Sequence, residues 1–310
     1  MIYTITFNPA LDVGGVVDNL VPNEKSYVHD QRCTPGGNGI NAGIIAHRLG
    51  ADVTLTGFIG GANGDVISSL LDKEKIHHEF IPIQSSTRMN VTVSNTKDHK
   101  QTRLSFPGAR VRKAEWDQLI KFVEKIKAEE DLVVIGGSLP PGISTQKVSS
   151  LIRMLKRRKI FCMVDMPAES LGKLLNAKPC FIKPNLKEFQ ELTKSKVNTI
   201  KGVLKEMRKL NKHVPLICVS SVEGGAILAN GSQAWFGITP KLSIHSTVGA
   251  GDSMVGAMAT MLEKNPNAPL DDILRIGLAA SSATLSESGM TLGSCKSMRD
   301  FMPKIKVKKL

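Results

Sequence analysis

The chain has 310 residues, 41% of them hydrophobic, enough to bury a sizeable core in one large domain. No apolar run approaches the roughly 20 residues that cross a bilayer, and the opening MIYTITF lacks the basic region, apolar stretch and cleavage site of a leader, so neither export nor membrane anchoring is expected. The 41 Lys and Arg against 28 Asp and Glu give +13, a field open to anionic partners, but the cations are dispersed and aromatics make up only 5% of the chain, so nucleic acid is not the expected partner. Solvated helix faces account for most of that charge, and a small phosphorylated substrate would use the field equally well.

In chain order, residues 12–34 are strand-like without a helix, ending in SYVHDQR and its neighbours. TPGGNGINAGIIAHRLG (34–50) then reads as a glycine-rich turn before a helix whose apolar face includes Ile40, Ile44, Ile45 and Leu49. Gly36 and Gly37 there serve either packing and capping or the approach of a ligand to backbone amides. DVTLTGFIG predicts a strand and DVISSLLDKEK a helix; from about 78 to 106, NVTVSN and QTRLSFPG follow one another as strands with no helix between them. The alternation resumes with DLVVIGG and STQKVSSLIRMLKRR, IFCMVDM and a short helix, then VPLICVS. Strands separated by helices of this length imply an α/β fold with a mostly parallel sheet covered on both sides. The two helix-free stretches, 12–34 and 78–106, predict a small β-lid on one domain spanning 1–310.

The nucleotide motifs familiar in α/β chains are missing: there is no G-x-x-x-x-G-K-[ST] and no G-x-G-x-x-G. Five cysteines (Cys33, Cys162, Cys180, Cys218, Cys295) lack CxxC spacing, which argues against a disulfide framework or a zinc site and for the reducing cytoplasm. The seven histidines form no HExxH or similar metal constellation.

HSTVGAGDSMVGAM (245–258) is the strongest signal. Gly249 and Gly251 let successive amides point outward, and Met254, Val255, Met258, Met261 and Leu262 recur behind them at helical spacing. Those amides lie at a helix N-terminus, where backbone donors and the dipole stabilise anions. Asp252 among them is either an ordinary first-turn carboxylate or the group that serves an attacking hydroxyl in phosphoryl transfer.

PGGNGIN, FIKPNLKEF and STVGAGDSMVGAM, in that order, together with TITFNPALD, STRMNVTV and GGSLPPG, resemble the ribokinase-like sugar kinases of the phosphofructokinase B family over essentially the whole chain. Within that family the closing motif is nearest to the branch of minor bacterial 6-phosphofructokinases. The resemblance implies a ribokinase-like three-layer fold and an ATP- and Mg²⁺-dependent sugar-phosphate kinase. Its leading reaction is fructose 6-phosphate to fructose 1,6-bisphosphate, with tagatose 6-phosphate and fructose 1-phosphate as rival substrates. A catalytically silent sugar-phosphate sensor is the more remote alternative, against which the intact Asp252 and its glycines argue.

Carried over by resemblance, Asp252 is the base, and the amides of Gly249, Ala250 and Gly251 hold the transferring phosphoryl group. An aspartate at a helix N-terminus is expected to stay ionised and weakly basic, which suffices where alignment of the nucleophile dominates. Asp12 and Asn41, with the Gly36 and Gly37 backbone and Ser138, match positions around the sugar. Arg88, helped by Lys25 and Arg103, matches the grip on the sugar's existing phosphate. Lys183, Asn185, Ser220 and Gly225 match the nucleotide region, and Glu188 with Asn185 would meet Mg²⁺ through water. Ser246, Val248 and Gly289 match a monovalent-cation position, with K⁺ the ion, and the lid implies a homodimer interface.

Three departures stand out. Asn38 occupies a position that is lysine in the 1-phosphofructokinase and tagatose-phosphate branches, Val222 replaces a glycine of the nucleotide loop, and Tyr27 replaces a basic lid residue.

Overall fold

The computed structural model describes residues 1–98, 100–127, 131–287 and 289–310; residue 99, inside the expected lid span, lies outside the described residues. In chain order the elements are β1 (Ile2–Thr6), β2 (Ala10–Val17), β3 (His29–Gly36), α1 (Asn38–Arg48), β4 (Val53–Ile59), α2 (Gly61–Lys73), β5 (Ile81–Pro82), β6 (Arg88–Asn95) and β7 (Lys100–Ser105). There follow α3 (Lys113–Glu124), β8 (Leu132–Gly136), α4 (Thr145–Arg157), β9 (Phe161–Asp165), α5 (Ala168–Leu174), β10 (Phe181–Ile182), α6 (Leu186–Thr193) and α7 (Ile200–Leu210). The chain ends with β11 (Leu216–Val222), β12 (Gly225–Ala229), β13 (Ala234–Ile238), α8 (Ala250–Lys264), α9 (Leu270–Leu285), α10 (Cys295–Phe301) and β14 (Lys306–Lys309).

A large sheet runs in the order β14-β13-β12-β11-β10-β9-β8-β1-β4-β5. From β5 to β11 its neighbours pair in parallel, and the pairs β11–β12, β12–β13 and β13–β14 are antiparallel. The central strands read as continuous apolar runs because both faces are covered: every residue of LVVIG in β8 is buried. Alternation along such a strand divides the core into two halves. Leu132 and Val134 face one cluster, with residues of α1, α2, α8 and α9, whereas Val133 and Ile135 face the other, with residues of α3, α4 and α7. This is the three-layer arrangement the sequence predicts.

The second sheet, β3-β2-β6-β7, is built from the two helix-free stretches, with β2 and β6 parallel and both outer pairs antiparallel. Its strands are only partly covered: β7 shows exposed residues at five of six positions. Ile81 and Pro82, inside the stretch read as lid, pair instead with Phe58 and Ile59 at the edge of the large sheet, so the lid strand of this segment begins at Arg88. The order reverses at β1, which has β4 on one side and β8 on the other. At such a switch point the carboxyl ends of parallel strands leave a crevice for ligands.

Candidate active site

The crevice beyond β1, β9 and β10 is closed on one side by the lid, leaving a cavity of about 400 Å³. Asp12, Gly37, Asn41, Arg88 and Arg103 line it together with Lys183, Asn185, Glu188, Val248, Gly249, Gly251 and Asp252. These residues come from separate stretches of sequence, and each is one that the motifs single out.

The floor is the N-terminus of α8. Gly249 caps it at φ +75, a left-handed conformation that favours glycine, and Ala250 opens the helix buried at 7% exposure. The first-turn amides of α8 have no partner one turn back, which makes this end a cradle for an anion. Asn41, on the buried face of α1, donates through Nδ2 to Asp252 Oδ2 at 2.7 Å. Burial and the nearby Asp165 push the Asp252 carboxyl up to about 6, against the pull of Asn41 and Lys183. The expectation of a weakly basic, helix-stabilised carboxylate is thereby corrected: removal from water and a second acid outweigh the local hydrogen bond.

Asp165 is the residue that motif reading missed. It ends β9, is 8% exposed, meets Lys183 Nζ at 3.5 Å through Oδ1 and accepts from Asn38 Nδ2 at 3.4 Å through Oδ2. Burial opposes the charge of Lys183, yet the surrounding acids, Asp165 foremost, hold its pKa above the usual lysine value. The available signal was an acidic residue closing an apolar parallel strand, at the end where ligands bind.

The lid wall carries Asp12 on β2, whose Oδ1 accepts from Asn90 Nδ2 at 2.8 Å; Asn90 too escaped sequence reading, although it lies in STRMNVTV. A Cβ on Gly36 would stand 2.2 Å from Asp12 Oδ2, so only glycine leaves this carboxylate its place. Burial raises the Asp12 carboxyl, opposed by the Asn90 bond and by Arg88 and Arg103. Arg88 donates to the carbonyls of Asn8 (2.9 Å), Pro9 (3.3 Å) and Phe106 (3.1 Å), which fixes its guanidinium at the cleft with further N–H groups to offer an anion. Arg103 stands exposed on β7.

Lys183, Asn185 and Glu188 come as one turn of chain. Asn185 caps α6 by accepting from the Glu188 N–H at 2.9 Å, and Glu188 Oε2 accepts from the Asn185 N–H at 2.9 Å. Burial raises the Glu188 carboxyl, the Asn185 N–H lowers it, and Asp165 raises it further. Ser220 lies alongside, its N–H on the Pro184 carbonyl at 3.1 Å, and Gly225 begins β12 beyond the turn. Neither lines the cavity. Val222 is fully buried among core residues, which explains a valine at this glycine-associated position: its side chain points away from the turn's surface.

Other expected residues lie apart. Lys25 is exposed, its Nζ 4.7 Å from the centre of the exposed Tyr27 ring, and does not line the cavity. Ser138 accepts from Asn8 Nδ2 at 3.0 Å and does not line it. Ser246 is buried and takes the Val248 N–H at 3.2 Å, whereas Gly289 borders a separate pocket with Arg32 beneath the lid. No cluster of three or more His, Cys, Asp or Glu side chains fit to hold a metal occurs among the described residues, and no helix among them is long and apolar enough to cross a membrane.

A lidded α/β fold whose cleft is lined by Asp252 at a helix N-terminus, by Lys183 and by Arg88 has the outline of a phosphotransferase with a hydroxyl acceptor. The chain belongs to the pfkB family carbohydrate kinases, whose family model matches residues 7–296. It is 34% identical over 302 residues to the ATP-dependent 6-phosphofructokinase isozyme 2 of Escherichia coli, covering 94% of this chain and 95% of that one. It is 29% identical over 314 residues to the 1-phosphofructokinase of Vibrio cholerae, covering 100% and 97%. Among solved structures, phosphofructokinase-2 from Escherichia coli in complex with substrates and products superposes with a TM-score of 0.92 at 32% identity, covering 97% and 98%. A second structure of that protein, in complex with potassium, gives 0.91 at 32% identity and the same coverage.

Proposed function

We propose that this chain transfers the γ-phosphoryl group of ATP to fructose 6-phosphate, giving fructose 1,6-bisphosphate. The observation that carries the reading is the pairing, in one cleft, of Asp252 at the α8 cradle with Arg88 on the lid. One end suits a reacting hydroxyl and the other a phosphate already on the sugar. Asp12, Asn41 and Asn90 between them suit a polyol, since carboxylates accept and amides do both. The similarity to an ATP-dependent 6-phosphofructokinase points the same way, as does Asn38 in place of the lysine of the 1-phosphofructokinase branch.

In this reading Asp252 orients the sugar hydroxyl and takes its proton, a role its raised carboxyl fits near neutral pH. The Gly249, Ala250 and Gly251 amides stabilise the equatorial oxygens of the moving phosphoryl group. Lys183, kept charged by Asp165, balances negative charge on the nucleotide side. The oxygen donors of Asp165, Glu188 and Asn185 fit a hard cation such as Mg²⁺, which keeps most of its own waters. That ion would neutralise charge on the nucleotide phosphates. Ser246, Val248 and Gly289 are the proposed surroundings of K⁺. Ser220, Gly225 and Ser138 are assigned to the nucleotide and sugar margins.

Exposed Tyr27, Val28, Leu104 and Phe106 on the lid side support a homodimer through that face, which is also where Lys25 would act. The free cysteines fit a cytoplasmic setting.

A substrate panel with coupled ADP detection tests the reading. ADP should appear only with Mg-ATP and a phosphorylated ketohexose together, with kcat/KM highest for fructose 6-phosphate. A higher kcat/KM for fructose 1-phosphate or tagatose 6-phosphate would overturn the substrate while leaving the kinase. Salt-sensitive nucleic-acid binding with no ADP would overturn both.

A further inference from the structure

Behind the cradle, outside the cleft, runs a connected set of hydrogen bonds. Arg48, the last residue of α1, forks onto Glu74 just past α2, its Nη2 donating to the two carboxylate oxygens at 3.1 and 2.9 Å and its Nε to one of them at 3.3 Å. Its Nη1 donates to the carbonyls of Leu292 and Gly293 at 3.0 and 3.3 Å. The Gly293 N–H in turn donates to Thr284 Oγ1 at 2.9 Å, and Thr284 shares a hydroxyl bond of 2.7 Å with Ser253. Thr284 and Ser253 are both 0% exposed, so neither hydroxyl has water as an alternative partner. Ser253 follows Asp252 directly, and its N–H bonds the Gly249 carbonyl at 2.8 Å.

Leu292 closes this circuit from the other side. Its Cδ2 lies 2.5 Å from where a Cβ on Gly249 would stand, so the side chain rests directly against the capping turn. On the remaining side lies a pocket of about 140 Å³ that opens to solvent, bounded by Asp12, Asn41, Arg48, Val248 and Leu292 among others. Val248 borders solvent there rather than packed core, so the turn is supported by Leu292 against Gly249 and by the Ser253 N–H on the Gly249 carbonyl.

We propose that Arg48, aligned by Glu74, is a positioning residue for the α8 anion cradle. It does not line the cleft. By holding the Leu292–Gly293 segment it presses Leu292 on Gly249 and, through Thr284, fixes Ser253 beside Asp252. The inference rests on the phosphotransferase reading for its effect on turnover, but the tether itself is readable without activity.

In Arg48→Ala, amide exchange at Ser253 and Gly293, whose N–H groups are bonded to the Gly249 carbonyl and to Thr284 Oγ1, should quicken about tenfold while strands β8 and β9 keep their protection, because the change is a local opening. Turnover should fall about tenfold with KM for ATP and for sugar phosphate within about twofold of wild type. Thr284→Ser, which keeps the bridging oxygen, should retain kcat, and Thr284→Val should lose it. Arg48→Ala combined with Thr284→Val should cost less than the two losses added, since both cut one tether. Unchanged exchange and kcat in Arg48→Ala, with only a lower Tm, would make the group an ordinary helix-pairing contact and overturn the proposal, as would exchange rising evenly over the whole chain. A wild-type protein that forms no ADP on any sugar would sink the kinase reading alone, with the exchange experiment still deciding the tether.

Discussion

On the floor of the cleft Lys183 is 4% exposed and meets Asp165 at 3.5 Å, whereas on the lid Arg103 stands exposed on β7 and Lys25 leans over the exposed Tyr27 ring. Both regions mix carboxylates with cations, yet charge behaves differently in them. Lys183 and Asp165 are buried and Asp252 and Glu188 half-buried beside them, and charges crowded together and withdrawn from water shift one another's proton affinity, so Asp252, Glu188 and Lys183 all depart from their ordinary values. Exposed lid charges are hydrated and screened. Floor residues should accordingly govern turnover and its pH dependence, and lid residues should govern affinity. Arg88 and Asp12, at the base of the lid, are half-buried like Asp252 and belong to the lid by their strands.

The sharpest way to break this contrast is Asp252→Asn. Turnover should fall about 10²-fold or more with substrate affinity retained, the scale of positioned acid/base catalysis. Steady-state kinetics beside a titration of sugar-phosphate binding would check it, and near-wild-type kcat would return Asp252 to an ordinary helix-start residue. The same variant carries a stability signature of definite sign. Because the folded carboxyl sits at about 6, above its unfolded value of about 3.9, the folded state binds the proton more tightly, and stability is lost as pH rises between the two values. An amide in place of the carboxyl does not titrate and has no such loss. The Tm of the Asp252→Asn variant should exceed that of wild type at pH 8, and the difference should vanish below about pH 4.

A smaller effect of the opposite kind is expected at the lid. Arg88→Ala should lower kcat/KM for the sugar phosphate by about one to two decades through KM, leaving KM for ATP nearly unchanged, since a charge-assisted phosphate contact contributes roughly 1.5–3 kcal/mol. Unphosphorylated fructose should be a poor substrate and lose little further. A fall in kcat alone would erase the distinction between wall and floor.

The smallest effect sharpens the floor. The Asn41 hydrogen bond favours the charged form of Asp252, so Asn41→Ala should raise that carboxyl further. The acidic limb of the kcat/KM profile, expected at about pH 6 in the wild type, should move to higher pH. A limb that stays in place would assign it to another group.

Much of this protein is written locally. Apolar runs such as LVVIG and the helical pattern after Gly249 suffice for strands and helices, because their periodicity is a property of neighbouring residues. The glycine-rich motifs at 34–41 and 245–258 likewise announce the two helix starts that face the cleft. Arg88, Asp12, Asn41 and Asp252 were legible for the same reason: each lies inside a motif whose spacing carries chemistry. Asp165 and Asn90 were not, since one is a single acid after an apolar strand and the other a polar residue within a lid strand. Only the sheet order, which sets β9 and β10 side by side, brings Asp165 to Lys183, and only the parallel pairing of β2 with β6 sets Asn90 against Asp12. Proton affinity was decided at the same level. The sequence places Asp252 at a helix start, which by itself favours a charged carboxylate, but burial and the approach of Asp165 from a distant strand reverse the balance. Desolvation and long-range charge depend on what the whole chain packs around a group, and no local stretch of sequence contains that information.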